Sequence, residues 1–174
     1  MTGKELLNRV ANGETDFLQV SLDVLEETAA RHCVIGGLAV NAYAEPVVSL
    51  DIGLVVATGR LEHVGRAAAE RGIEVERHPH SVNLSAPGSD LRVQLQTDPR
   101  YQEFLRRAEE RTVLGYPLRV ARVEDVLQGK LWAYQDDSRR PSKRQKDLAD
   151  IARLVEAHPE LAERLPHSVW QRLA

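Results

Sequence analysis

Two adjacent glycines, Gly36 and Gly37, separate a short apolar run, Cys33-Val34-Ile35, from a stretch of small and apolar residues at 38–44. Without Cβ atoms, such a pair lets the backbone turn sharply from a strand into a helix, and amides at the helix start can meet an anion such as a nucleotide phosphate. The same pair serves tight packing in many α/β chains. A dozen residues on, Ser49 and Asp51 lie in a mostly apolar run, 47–56, with Gly53 two positions after the aspartate. Residues i and i+2 of a strand share a face, so a site for hard cations naturally takes the form Asp-x-Asp, with carboxylate oxygens as ligands. Here the second position is a glycine. Asp51 alone also suits a strand end, capping a turn or pairing with a late-chain base.

The late chain supplies bases. A lysine meets phosphate as a point charge. Lys130 stands between Leu127 and Leu131 in a mostly apolar segment, which makes it a candidate phosphate contact or partner of Asp51. Arg139, Arg140, Lys143 and Arg144 have the composition of a solvated helical face. Asp147 and Asp150 are expected to cap or pair within the C-terminal helices. His63, His78 and His80 sit in a polar helix and a proline turn without supporting carboxylates, as surface histidines do.

These residues need a scaffold, and the pattern describes one. Apolar spacing predicts a helix over 16–31, capped by Thr15 or Asp16. Strands follow at 33–35 and 47–56 around a helix at 38–44. A helix at 61–71 ends at Gly72. Alternation predicts strands at 73–77, 81–85 and 91–96, split by His78-Pro79-His80 and Pro87-Gly88-Ser89 turns. Residues 99–110 read as helical, and 112–114 and 118–121 as a hairpin around Gly115-Tyr116-Pro117. From Glu124 the chain turns helical, with helices through Lys130, over 142–156 and over 161–173. The fold class is α/β (α+β), a mixed sheet flanked by helices, with residues 1–122 as core and 123–174 as a helical region packed on it.

Composition agrees with one soluble domain: 174 residues, 43% hydrophobic and 28% charged, with only 5% aromatic residues, so the core is aliphatic. The net charge of −3 argues against the basic footprint of direct DNA binding. The single cysteine, Cys33, forms no internal disulfide and has the apolar setting of a small buried side chain. Nothing approaches the roughly 18 consecutive apolar residues of a membrane span, and no secretory segment is evident, so the expected location is cytoplasmic.

The stretch Val34–Val56 resembles nucleotidyltransferases of the minimal and toxin–antitoxin-associated types. Their pattern is a strand, Gly-Gly or Gly-Ser, a helix with small residues and a tyrosine, then Arg-x-Thr/Ser-x-Asp-x-Asp. Gly36, Gly37, Ala39, Tyr43, Ser49 and Asp51 match it. Further on, Glu124-Asp125-Val126-Leu127-Gln128-Gly129-Lys130-Leu131 resembles the family's lysine-bearing helix. Lys143-Arg144-Gln145-Lys146-Asp147-Leu148-Ala149-Asp150-Ile151 resembles its Lys/Arg-Asp-x-x-Asp helix. The resemblance implies a nucleotidyltransferase-like fold, a nucleoside triphosphate as ligand, Mg²⁺ as cofactor, and a nucleotide site of Gly36, Gly37, Ser49, Lys130, Lys143 and Lys146, with Asp51 as catalytic metal ligand. The chain departs from the pattern at three places: Val47 replaces the arginine, Gly53 the second aspartate, and Gln94 the third carboxylate. Asp90 stands near in sequence but at a strand's start. One carboxylate is a poor host for a two-metal clamp, and a single Mg²⁺ would have to be held partly by phosphates. The expected function is therefore a degenerate nucleotidyltransferase-like protein, a pseudoenzyme binding a nucleotide or a protein partner. Two alternatives stand beside it: an active enzyme moving an NMP to a protein, RNA or small-molecule hydroxyl through a rearranged site, and a non-catalytic component of a toxin–antitoxin-like module.

Overall fold

The alternation at 91–96 buries Val93 and Leu95 and exposes Arg92 and Gln94, and the same two-residue period shapes most of the sheet. The computed structural model describes residues 1–174. The strands are β1 (His32–Ile35), β2 (Asp51–Val56), β3 (Glu74–His78), β4 (Ser81–Ser85), β5 (Arg92–Gln96), β6 (Glu109–Val113) and β7 (Tyr116–Val120). They form one mixed sheet in the order β3-β4-β5-β2-β1-β7-β6. The β2–β5 and β1–β7 pairs are parallel and the other pairs antiparallel. Both edge strands carry charges along their length (Glu74, Glu76 and Arg77; Glu109, Glu110 and Arg111), which blunts edge-to-edge pairing.

Helices α1 (Gly3–Val10), α2 (Phe17–Glu27), α3 (Gly36–Val40), α4 (Leu61–Glu70) and α5 (Phe104–Arg107) interleave with the strands. After β7 come α6 (Val123–Gln135), α7 (Pro141–Ala157) and α8 (His167–Leu173). Asp16 caps α2 by accepting from the Gln19 N–H, and the Tyr116 hydroxyl donates to the same carboxylate at 2.8 Å. The core is mostly aliphatic, as its composition requires, with Phe17 and Tyr116 as large exceptions. Cys33 is fully buried, and burial pushes its thiol up to about 12, as suits a packing side chain. His63, His78 and His80 are all exposed. No helix is long and apolar enough to cross a membrane.

Five segments differ from expectation. Helix α1 was not anticipated, although Thr2 and Glu5 form a capping box. Residues 99–110 are not one helix: a 3-10 turn and the four-residue α5 give way at Ala108 to β6, because Glu109–Val113 pairs with β7. Helix α3 begins at Gly36 and stops at Val40, and 41–44 continue as turns. Strand β2 starts at Asp51 instead of Val47, since the Asn41 side chain bonds both the N–H and the C=O of Val47 and holds that segment off the ladder. Finally, Pro166 divides 161–173, leaving a 3-10 turn (Pro159–Arg164) before α8.

Candidate functional site

Gly36 opens α3 with φ 69°, a left-handed conformation that favours glycine, and no side chain caps the helix. Gly37 has ordinary φ and faces the Asp150 carboxylate and Ser49, with room for a Cβ. The conformational need for the glycine pair therefore rests on Gly36.

Strand β5 lies parallel to β2 and sets Arg92 beside Asp51 and Gln94 beside Gly53. All four alternate with buried Ile52 and Val93, so they share one polar face of the sheet. Helix α7 supplies the rest. Asp51 is paired on both oxygens: Arg92 Nε donates to Oδ1 at 3.0 Å and Lys143 Nζ donates to Oδ2. Burial alone would push the Asp51 carboxyl up, but the Lys143 hydrogen bond and charge, with the charges of Arg92 and Lys146, hold it below the usual carboxylate range. Lys146 Nζ donates to Ser49 Oγ at 2.6 Å and has no carboxylate within ion-pair distance. Its own burial, then the charges of Lys130 and Lys143, push its ammonium below the ordinary lysine value, against the pull of Asp150 and Asp51. Three cations thus surround one carboxylate, two positive charges in excess, in a chain whose net charge is −3.

Lys130 takes partners other than the expected Asp51. It is buried, 3.0 Å from Asp147 Oδ1 and 2.7 Å from Asp150 Oδ2, the latter off the line of a hydrogen bond. Arg139 Nε donates to Asp147 Oδ2 at 2.6 Å and Arg153 Nη1 to Asp150 Oδ1 at 2.8 Å. The sequence Arg139–Asp147–Lys130–Asp150–Arg153 forms an ionic clasp between α6 and α7, in which Asp147 and Asp150 pair as expected. The solvated face expected for the bases holds for Arg140 but not for Lys143, Arg139 or Arg144, whose side chains reach Asp51, Asp147 and the Tyr134 carbonyl oxygen.

Asp90 turns away from this cluster: its carboxylate accepts from Asn12 Nδ2 at 2.7 Å. No group of three Asp, Glu, His or Cys side chains is placed to hold a metal ion. The residues therefore do not fit the divalent pair that the resemblance implies. The one facing carboxylate is already neutralised by two bases, and Gly53 and Gln94 provide no anionic oxygen. Arg92 is the site residue that the sequence did not disclose. Its alternation with Val93 and Leu95 places it on a polar face, but only the β2–β5 pairing sets it against Asp51.

Comparison with known proteins bears out the architecture. No protein-family model and no curated protein sequence matches the chain. Among solved structures, the antibiotic-resistance factor ANT(2'')-Ia is 15% identical with a TM-score of 0.59, over 90% of this chain and 86% of its own. The lincosamide antibiotic adenylyltransferase LnuA, solved with lincomycin bound, is 13% identical with a TM-score of 0.57, over 82% of this chain and 99% of its own. A nucleotidyltransferase-like protein from Paracoccidioides brasiliensis is 18% identical with a TM-score of 0.52, over 90% and 84%. The chain has the nucleotidyltransferase fold.

Proposed function

We propose that this nucleotidyltransferase-fold protein binds a nucleoside triphosphate and does not carry out two-metal nucleotidyl transfer. Lys143 and Lys146 meet the phosphates, Ser49, Gly36 and Gly37 border them, and Asp51 orients Lys143. Lys130 acts through the clasp that fixes α7. The observation that carries this reading is Lys146, a half-buried ammonium among other cations whose one hydrogen-bond partner is a neutral hydroxyl. An anion relieves that crowding. The adenylyltransferase LnuA and the adenylyl-tobramycin held by ANT(2'')-Ia, both structural neighbours, support a nucleotide as the anion, and the missing carboxylates argue against nucleotidyl transfer here.

Calorimetric titration with ATP, CTP and GTP is expected to show saturable binding of at least one. Lys146→Met is expected to weaken it about tenfold, since a hydrogen bond to a charged group contributes roughly 1.5–3 kcal/mol. The pH dependence has a definite sign. The lysine is depressed in the free protein and returns toward its ordinary value beside a phosphate. Binding in the alkaline range between those two values therefore takes up protons, and affinity falls as pH rises through it. Titrations in buffers of different ionisation heat measure that uptake, and Lys146→Met is expected to abolish it. Transfer of labelled NMP that is lost in Asp51→Ala would overturn the non-catalytic half of this reading. Absence of binding by all three nucleotides would overturn the rest and leave a scaffold acting through a protein partner, as in a toxin–antitoxin-like pair.

A further inference from the structure

The two bases on Asp51 decide which form of a polyphosphate this site accepts. A divalent cation arriving with its nucleotide needs anionic oxygens, and Mg²⁺ is held by one or two carboxylates plus phosphates. Asp51 is the facing carboxylate, and Arg92 and Lys143 occupy its two oxygens. The position beside it on β5, from which a second carboxylate would face Asp51, is Arg92 itself. A metal bound to the phosphates would also approach the ammonium of Lys146, which makes no ion pair and feels Asp150 and Asp51 only at longer range.

Resting on the nucleotide-binding reading above, we infer that Arg92 and Lys143 stand in the place of divalent cations, so that this site takes the metal-free polyphosphate and Mg²⁺ opposes binding. The charge balance has the right sign: free triphosphate is more anionic than its Mg²⁺ complex, and the excess positive charge of the cluster favours the more anionic ligand. Divalent cation then acts as an antagonist that withdraws the ligand.

The test is titration of the intact protein with ATP in EDTA and in excess MgCl₂ at matched ionic strength. Binding is expected to weaken at least tenfold in MgCl₂, and the exchange-inert Cr(III) complex of ATP is expected to bind as weakly. Equal or tighter binding with Mg²⁺ overturns the inference while leaving the nucleotide-binding reading standing. No binding in either buffer overturns both. A second arm needs no nucleotide: electron paramagnetic resonance of Mn²⁺ with wild type and Arg92→Asp. Arg92 is two-thirds exposed, so the change leaves the core intact. The wild type is expected to show no saturable Mn²⁺ site at micromolar concentrations, and Arg92→Asp, which faces a second carboxylate toward Asp51, is expected to gain one. A wild-type site, or no gain in the variant, overturns the assignment of Arg92 as the cation that keeps metal away.

Discussion

Lys130→Met is expected to destabilise the protein by about 3–5 kcal/mol, the usual range when one partner of a buried ion pair is removed. Lys130 is 7% exposed and its ammonium lies between two carboxylates, Asp147 and Asp150, that are 1% and 4% exposed. Methionine keeps the volume and removes the charge. Arg139 then remains on Asp147 and Arg153 on Asp150, while Asp150 Oδ2, buried without a hydrogen bond, loses the cation beside it. Urea unfolding by circular dichroism measures the loss, and the melting temperature should fall by about 10 °C. Arg92→Ala is the useful contrast. It also removes a base from an aspartate, but the pair is exposed, and the expected cost is below about 1 kcal/mol. Similar losses in the two variants would contradict the division into a structural clasp and an open cluster.

The double substitution of Lys143 and Lys146 by methionine is expected to lower nucleotide affinity about a hundredfold, with two charge-assisted contacts at roughly 1.5–3 kcal/mol each. The two lysines lie three residues apart on one face of α7 and feel each other's charge. Removing them should also flatten the dependence of affinity on salt concentration. Stability should change little, because the loss at Asp51 is offset by relief of charge crowding at Lys146. Calorimetry at two salt concentrations checks both points. Wild-type affinity in the double variant would place the phosphates elsewhere.

Chemistry confined to neighbouring residues was legible in the sequence. Val34–Val40 announced a strand, a turn and a helix, and Gly36 proves to need its left-handed backbone. Asp51 was visible as a polar residue entering a buried strand, and the absence of partners at Gly53 and Gln94 was visible with it. Pairing across the fold was not. Which base meets Asp51 depends on β5 lying parallel to β2 in one register, and which base enters the clasp depends on how α6 crosses α7. Lys130 and Lys143 are both lysines on helices, and the sequence suggested the opposite fates for them: the apolar neighbours of Lys130 signalled burial, and burial brought it to Asp147 and Asp150. Residues 99–110 misled for a related reason. Their charged residues suit an exposed helix face as well as a sheet edge, and the pairing with β7 decides between the two.

The geometry around Gly53 limits what a single substitution can do there. A Cβ would sit 3.2 Å from Ile35 Cγ1 and 3.6 Å from its carbonyl oxygen, so the antiparallel neighbour leaves tight room for any side chain at this position. An aspartate here requires Ile35 to yield, and Arg92 and Lys143 still hold Asp51. Gly53→Asp by itself is therefore expected to gain no Mn²⁺ affinity, measurable by the same resonance titration, and a micromolar site in that single variant would show that Ile35 yields and that the two bases release Asp51 unaided.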